Sequence, residues 1–322
     1  MPTITVPELY CPFPARINGH AETVSAHTSD WARQHGLLTE PRISARYVSG
    51  KYGLLAARNH PDAPLDRLAV IADWYGWLFV FDDMGDDTWI GTSAAGLRAR
   101  ADRFLEILER PQERAAHDDG PFEHALRDLA RRMAEWASRE WTSRFVQSCA
   151  DYLESLAWEA GNRAALLTPD AHVYAKMRLH TGAVGTCFVV GEMVDGLDLP
   201  PNVLQHPAVV ALRDSANTIV CWQNDLLSLS KELEVGEVHN LVVVIQERDG
   251  CSLQEAVDTV AADHDAEMRR FVEMSEAMPA ISGAEQRQVE GLVALLQHWV
   301  RGNLDWSRET GRYRTADPAE QT

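Results

Sequence analysis

Apolar positions recur along this chain at steps of three and four residues, the period of helices with one buried face. Phe122, Leu126, Leu129, Met133 and Trp136 form one such stripe within a helical region spanning 121–161. Thr168 followed by Pro169 reads as a helix start, with threonine as the N-cap and proline at the first helical position. Pro200 and Pro201 break the chain before a long helix over 207–231. Two more helices are predicted over 252–275 and 284–308, the first opened by Ser252 and Glu255 as a capping box. Breakers cluster at 60–65, 85–93, 110–120, 162–170, 195–201, 235–238 and 279–284. None is long or biased enough to be an interdomain linker. There is no fixed-length repeat and no convincing series of period-2 strands. The pattern predicts one all-α domain over residues 1–322, with a polar, frayed tail at 314–322.

One segment departs from the one-faced pattern. Leu68 to Phe81, LAVIADWYGWLFVF, is apolar nearly all round, which places a helix in the middle of a bundle. It ends in Asp82, Asp83, Asp86 and Asp87.

Composition narrows the picture. The 322 residues are 45% hydrophobic and 24% charged, enough for a sizeable core and too apolar for a disordered chain. The net charge of −18 argues against a nucleic-acid partner, which calls for a basic footprint. An anionic substrate stays open, because divalent cations invert local electrostatics. Cysteines at 11, 149, 187, 221 and 251 form no CxxC pair, so neither a zinc site nor a disulfide framework is expected, and a reducing cytoplasm is the simplest location. The opening MPTITVPELYCPFP has no basic region and no long apolar run, so no signal peptide is expected. No segment reaches the length of about 18 uncharged apolar residues that a membrane span needs.

Two constellations carry chemistry. In FDDMGDD, residues 81–87, four carboxylates crowd the C-terminal end of a buried helix. They repel one another and meet the negative end of the helix dipole, and no Lys or Arg lies within the motif. An oxygen-rich cluster of this kind suits Mg²⁺, although a solvated acidic loop gives the same short pattern. Asp82 and Asp86 are four apart and face one ion if the helix continues that far. In NDLLSLSKE, residues 224–232, Asn224, Ser228 and Glu232 lie at steps of four on one helical stripe. An amide oxygen, a hydroxyl and a carboxylate are all hard oxygen ligands, and Lys231 beside them can reach a phosphate. A polar surface stripe is the bland alternative, and the buried character of the preceding turns argues against it.

About 140 residues apart, the two constellations together resemble the aspartate-rich motif and the Asn-Ser-Glu triad of microbial class I terpene synthases. The resemblance covers most of the chain and includes CPFP at 11–14 and the pair Arg312–Tyr313. It implies a single helical bundle around a deep apolar cavity that takes an isoprenyl diphosphate with three Mg²⁺ ions. It makes Asp82 the main aspartate ligand and gives one ion to Asn224, Ser228 and Glu232. Either Asp86 or Asp87 completes the aspartate motif, while Asp83 serves a metal or bonds a basic side chain. Arg178, 46 residues before Asn224, falls at the position of the family's diphosphate-sensing arginine, and Gly182 at that of its effector glycine. The linker between them, commonly Asp, is Thr181 here, which carries no charge to pair with Arg178. Lys231, Arg312 and Tyr313 are the remaining diphosphate donors, and Phe79, Phe188 and Trp306 the candidate cavity lining. His180 has no carboxylate at helical spacing and reads as packed or solvated rather than as a base.

The resemblance implies ionisation of the diphosphate and cyclisation of the allylic cation. Farnesyl diphosphate and a sesquiterpene hydrocarbon or alcohol are the first expectation, and geranylgeranyl diphosphate with a diterpene the alternative. A chain-elongating prenyltransferase carries a second DDxxD where this chain has its Asn-Ser-Glu stripe, and the DxDD of protonation-initiated cyclases is absent. A non-catalytic isoprenoid-binding protein would not need the intact ligand set. Segments 83–93 and 233–240 are expected to close over metal and diphosphate. Homodimers are common in the family, and the sequence shows no decisive interface.

Overall fold

The computed structural model describes residues 4–87, 94–165, 167–279 and 284–313. Among them are α1 (Ala21–Gln34), α2 (Pro41–Gly50), α3 (Tyr52–Asn59), α4 (Leu65–Asp87), α5 (Ala94–Glu109), α6 (Pro121–Met133) and α7 (Arg139–Ala165). There follow α8 (Ala171–Thr181), α9 (Val184–Val194), α10 (Pro201–Leu204), α11 (Pro207–Val235), α12 (Leu241–Asp249), α13 (Leu253–Glu276) and α14 (Ala284–Glu309). The all-α expectation holds. The expected tail at 314–322 and part of the expected closing segment, 88–93, lie outside the described residues.

Helix α4 is central, as its all-round apolar character requires. It packs against α1, α3, α6 and α9. Trp74 stacks on Trp77 at 5.4 Å and Trp77 on Phe81 at 5.0 Å, with Phe104 and Phe122 set edge-on around them. The one acid within its apolar run, Asp73, is buried and accepts from Arg132 Nη2 at 2.8 Å, with His27 Nε2 3.0 Å away. Its backbone continues as helix through Asp87, past the break read at 85, so positions 82 and 86 do share a helix.

Three other boundaries differ from the sequence reading. The region 121–161 is two helices, α6 and α7, separated at 134–138. The next helix, α8, is capped by Asp170, whose carboxylate accepts from the His172 and Val173 N–H groups, so Thr168 and Pro169 lie before it. The long helix α11 runs a turn further, to Val235, and closes on Gly236 in the left-handed conformation that glycine adopts at little cost. The capping box of Ser252 and Glu255 forms as expected.

Helix α11 packs against α13 and α14, and α14 against α3. The far end of α14 is fixed to the junction of α2 and α3. Trp306 Nε1 and Thr310 Oγ1 both donate to the Gly50 carbonyl, and the Gly311 N–H donates to that of Ser49. This anchoring carries Arg312 and Tyr313 to the ends of α4 and α11. All five cysteines are free, and no helix among the described residues is long and apolar enough to cross a membrane.

Candidate active site

The C-terminal end of α4 presents Asp82 half-exposed and Asp83 buried. Arg312 Nη1 lies 2.8 Å from both Asp83 oxygens, and Arg312 Nη2 donates to Asp82 at 2.9 Å. Arg46 on α2 adds a second guanidinium 3.1 Å from Asp83. Burial alone would raise the Asp83 carboxyl, but Arg312, Arg46 and Lys231 hold it below the usual carboxylate range. Lys231 is itself lowered, by burial and by the neighbouring charge of Arg312. The Arg312 guanidinium lies over the ring of Phe79, 4.6 Å from its centroid, and Phe79 stacks on Tyr52 at 4.5 Å. The second half of the acidic motif is not visible at side-chain level, since the side chains of Asp86 and Asp87 lie outside the described residues.

Asn224, Ser228 and Glu232 line one stripe of α11. The oxygen of Asn224 accepts from Arg178 Nη2 at 2.7 Å, and its amide nitrogen donates to the Tyr313 hydroxyl at 2.7 Å. Ser228 Oγ donates to the Asn224 carbonyl at 2.6 Å, which leaves its lone pairs free to accept. Glu232 takes a hydrogen bond from Asn240 at 2.8 Å. Burial, reinforced by Asp225, pushes the Glu232 carboxyl above its usual value. A carboxylate so placed in the last turn of a helix gains from a cation.

The expected residues therefore fall into two groups joined by the chain's end. Asp82, Asp83, Lys231, Arg312 and Phe79 meet at α4, while Arg178, Asn224, Ser228, Glu232 and Tyr313 meet at α11. Trp306 joins the groups, with its ring 5.6 Å from Phe79 and 5.7 Å from Tyr313. Phe188 lies buried against Trp299 at 5.4 Å, and His180 is exposed.

Arg178 settles against α11 rather than position 181. Asp225 accepts from Arg178 Nε at 3.0 Å and lies 2.7 Å from Nη2, and its charge keeps the buried guanidinium ionised against the effect of burial. Thr181 is buried, and its hydroxyl finds no partner among the described residues. The break between α8 and α9 falls at Gly182 and Ala183, the latter at φ +54°. A Cβ at Gly182 would come 2.7 Å from Cys221 Sγ, so only glycine admits this approach. Asn217 Nδ2 donates to the Leu179 carbonyl at 2.8 Å and Cys221 Sγ to that of Arg178 at 3.4 Å, pinning the break to α11. Burial raises the Cys221 thiol to about 12, so it packs rather than reacts.

Sequence reasoning missed Arg46, Asp225, Asn240, Asn217 and Cys221. Asp225 stood inside the quoted motif, and its carboxylate directly beside Asn224 was the available signal. The others carry no local pattern.

A family profile described as "Terpene synthase family 2, C-terminal metal binding" matches residues 73–270, a span that holds both oxygen-donor clusters. The chain belongs to this metal-binding terpene synthase family. It is similar to a (+)-T-muurolol synthase, (2E,6E)-farnesyl diphosphate cyclizing, of Roseiflexus castenholzii, at 38% identity over 97% of this chain and 95% of that one. It is 33% identical to a 10-epi-cubebol synthase of Sorangium cellulosum over 96% of this chain and 98% of that one. The crystal structure of an a-eudesmol synthase superposes with a TM-score of 0.86 at 25% identity, covering 95% of this chain and 100% of the other.

Proposed function

We propose that this protein is a sesquiterpene cyclase, a carbon–oxygen lyase that ionises farnesyl diphosphate, cyclises the resulting cation and releases diphosphate. The observation that supports it best is the convergence of the α4 and α11 oxygen clusters on Arg312 and Tyr313. Full-length similarity to a farnesyl diphosphate cyclase supports the same substrate. One domain spanning 1–322 acts as the unit, and free cysteines fit a reducing cytoplasm.

The donor set fits hard divalent cations. Among the described residues no three His, Cys, Asp or Glu side chains form a metal cluster by themselves. The ligands are mixed instead: Asn224, Ser228 and Glu232 on α11, and Asp82 with Asp86 or Asp87 on α4. A magnesium site that takes few protein carboxylates and fills its shell with water and phosphate oxygens suits that set. Burial and Asp225 push the Glu232 carboxyl up, so its ionised form would gain from a bound cation. Three Mg²⁺ ions supply Lewis-acid neutralisation of the diphosphate when bound.

The chain's own groups do the rest. Arg178, Lys231 and Arg312 are cations facing the two clusters, and Tyr313 adds a hydroxyl donor. They bind the diphosphate and stabilise the charge that grows on it as the carbon–oxygen bond breaks. Arg312 and Asp83 exchange partners in this scheme: Arg312 turns to the diphosphate, and Arg46 stays to balance Asp83. Phe79 is stacked on Tyr52, and the face that Arg312 leaves when it turns to the diphosphate is the one offered to an allylic cation.

Purified protein incubated with Mg²⁺ and, separately, geranyl, farnesyl and geranylgeranyl diphosphate tests the reading, with gas chromatography and mass detection of the extract. A cyclic C15 hydrocarbon or alcohol from farnesyl diphosphate is expected. A cyclic product from geranylgeranyl diphosphate alone would make it a diterpene cyclase, and no product from a folded sample would overturn the assignment.

A further inference from the structure

Asn240 is fully buried, and both its amide hydrogens and its oxygen are engaged. Its two amide hydrogens go to the Asp225 carbonyl at 2.7 Å and to Glu232 Oε2 at 2.8 Å. Its oxygen accepts from the Val242 N–H at 2.8 Å, which caps α12. A primary amide has two donor hydrogens, so both are committed. The network also fixes which way the amide points, because an inverted group would turn its oxygen onto two other oxygens.

The neighbouring chain is held just as closely. The Tyr174 hydroxyl lies between Asp225 Oδ2 at 2.8 Å and the His239 carbonyl at 3.2 Å. The His239 ring Nδ1 is 2.6 Å from Glu237, which in turn pairs with Arg163 on α7. Asp225 Oδ2 also accepts the Leu241 N–H. The connection from α11 to α12 is thus tied to the turn of α11 that holds Arg178. Glu232 is a long side chain in the last turn of a helix, and ordering it takes partners from outside that turn.

We propose that Asn240 is a positioning residue for Glu232. It holds the carboxylate in register with Asn224 and Ser228, so that the three oxygens meet a divalent cation together. Through Asp225 it references that carboxylate to the turn that grips Arg178. This rests on the reading of the α11 stripe as a metal site.

The test compares full-length wild type, Asn240→Ala and Asn240→Ser. Mg²⁺ is titrated by calorimetry in the presence of inorganic diphosphate, and turnover of farnesyl diphosphate is followed against Mg²⁺ concentration. Serine keeps an N-cap acceptor for α12 but is too short to reach Glu232. The expected result is that both variants need about 10–100-fold more Mg²⁺. At saturating Mg²⁺, kcat of the serine variant stays within about threefold of wild type, since the loss lies in binding rather than in the chemical step. In a Glu232→Gln background, Asn240→Ser is expected to change Mg²⁺ binding no further. A serine variant with a wild-type Mg²⁺ titration, whether or not its Tm falls, would overturn the proposal. So would an additive effect in the Glu232→Gln background. If wild type itself bound no Mg²⁺ with diphosphate, the metal-site reading would fail first and the proposal with it.

Discussion

At the end of α4, Asp83 meets two guanidinium groups, whereas at the end of α11, Glu232 meets uncharged groups, the Asn240 amide and the Ser228 hydroxyl. Both acids sit where a helix dipole disfavours negative charge. Arg312 and Arg46 overcome that and hold Asp83 below the usual range, so the pair is complete without a ligand. Burial and Asp225 push Glu232 the other way, and Asn240 supplies direction without charge. One cluster therefore supports the fold while the other costs it something. In the function proposed above, the difference would separate groups held in reserve for the substrate from groups that take a cation.

The largest effect that would break this contrast is on turnover. Glu232→Gln or Asp82→Asn is expected to cut product formation by at least about 10²–10³-fold with far-UV circular dichroism unchanged, because each removes a carboxylate that would hold a cation neutralising the leaving diphosphate. Full activity in both variants with Mg²⁺ would refute the two-cluster site.

Stability should respond next, and in opposite directions. Arg312→Ala leaves a buried carboxylate with Arg46 as its remaining guanidinium partner and is expected to cost about 3 kcal/mol in denaturant unfolding. Arg312→Lys should not restore it, since an ammonium cannot reproduce the fork. Glu232→Gln should leave the metal-free protein as stable or slightly more so, by up to about 2 °C in Tm at neutral pH. The signs with pH follow. The stability that Asp83 contributes is present above its unfolded value, about 3.9, and is lost as pH falls through its lower folded value. Glu232 contributes most below its unfolded value, about 4.3, and that contribution is lost as pH rises through its higher folded value. A pH series of unfolding curves on wild type, Arg312→Ala and Glu232→Gln would separate the two. Equal destabilisation in both variants would erase the contrast.

The smallest expected effect is at Thr181. Its hydroxyl has no partner among the described residues and Arg178 is balanced by Asp225, so Thr181→Val should change stability by less than about 1 kcal/mol. Turnover should stay within about threefold by the same product assay, as for a residue making no transition-state contact. A hundredfold loss would show that position 181 still takes part in sensing the diphosphate.

What the sequence disclosed was what lies within one helix. Asn224, Ser228 and Glu232 are spaced by helical geometry alone, and the buried helix leading to Asp82 is legible from its lack of a polar face. Partners that arrive across the fold were not legible. Arg46 and Asp83 are brought together by the packing of α2 on α4, and Cys221 meets Gly182 only because α8 breaks against α11. The start of α8 was misplaced for a local reason. Thr168 and Asp170 are both competent caps, and the carboxylate of Asp170 reaches two backbone N–H groups at once.

The approach of Cys221 to Gly182 bears on how this protein can be diversified. With 2.7 Å between the sulfur and the place a methyl group would occupy, the two positions form one steric lock shared by neighbouring helices. In a combinatorial library, side chains at 182 will survive selection only alongside a smaller residue at 221. Screens that vary position 182 alone will record it as intolerant and miss the paired solutions.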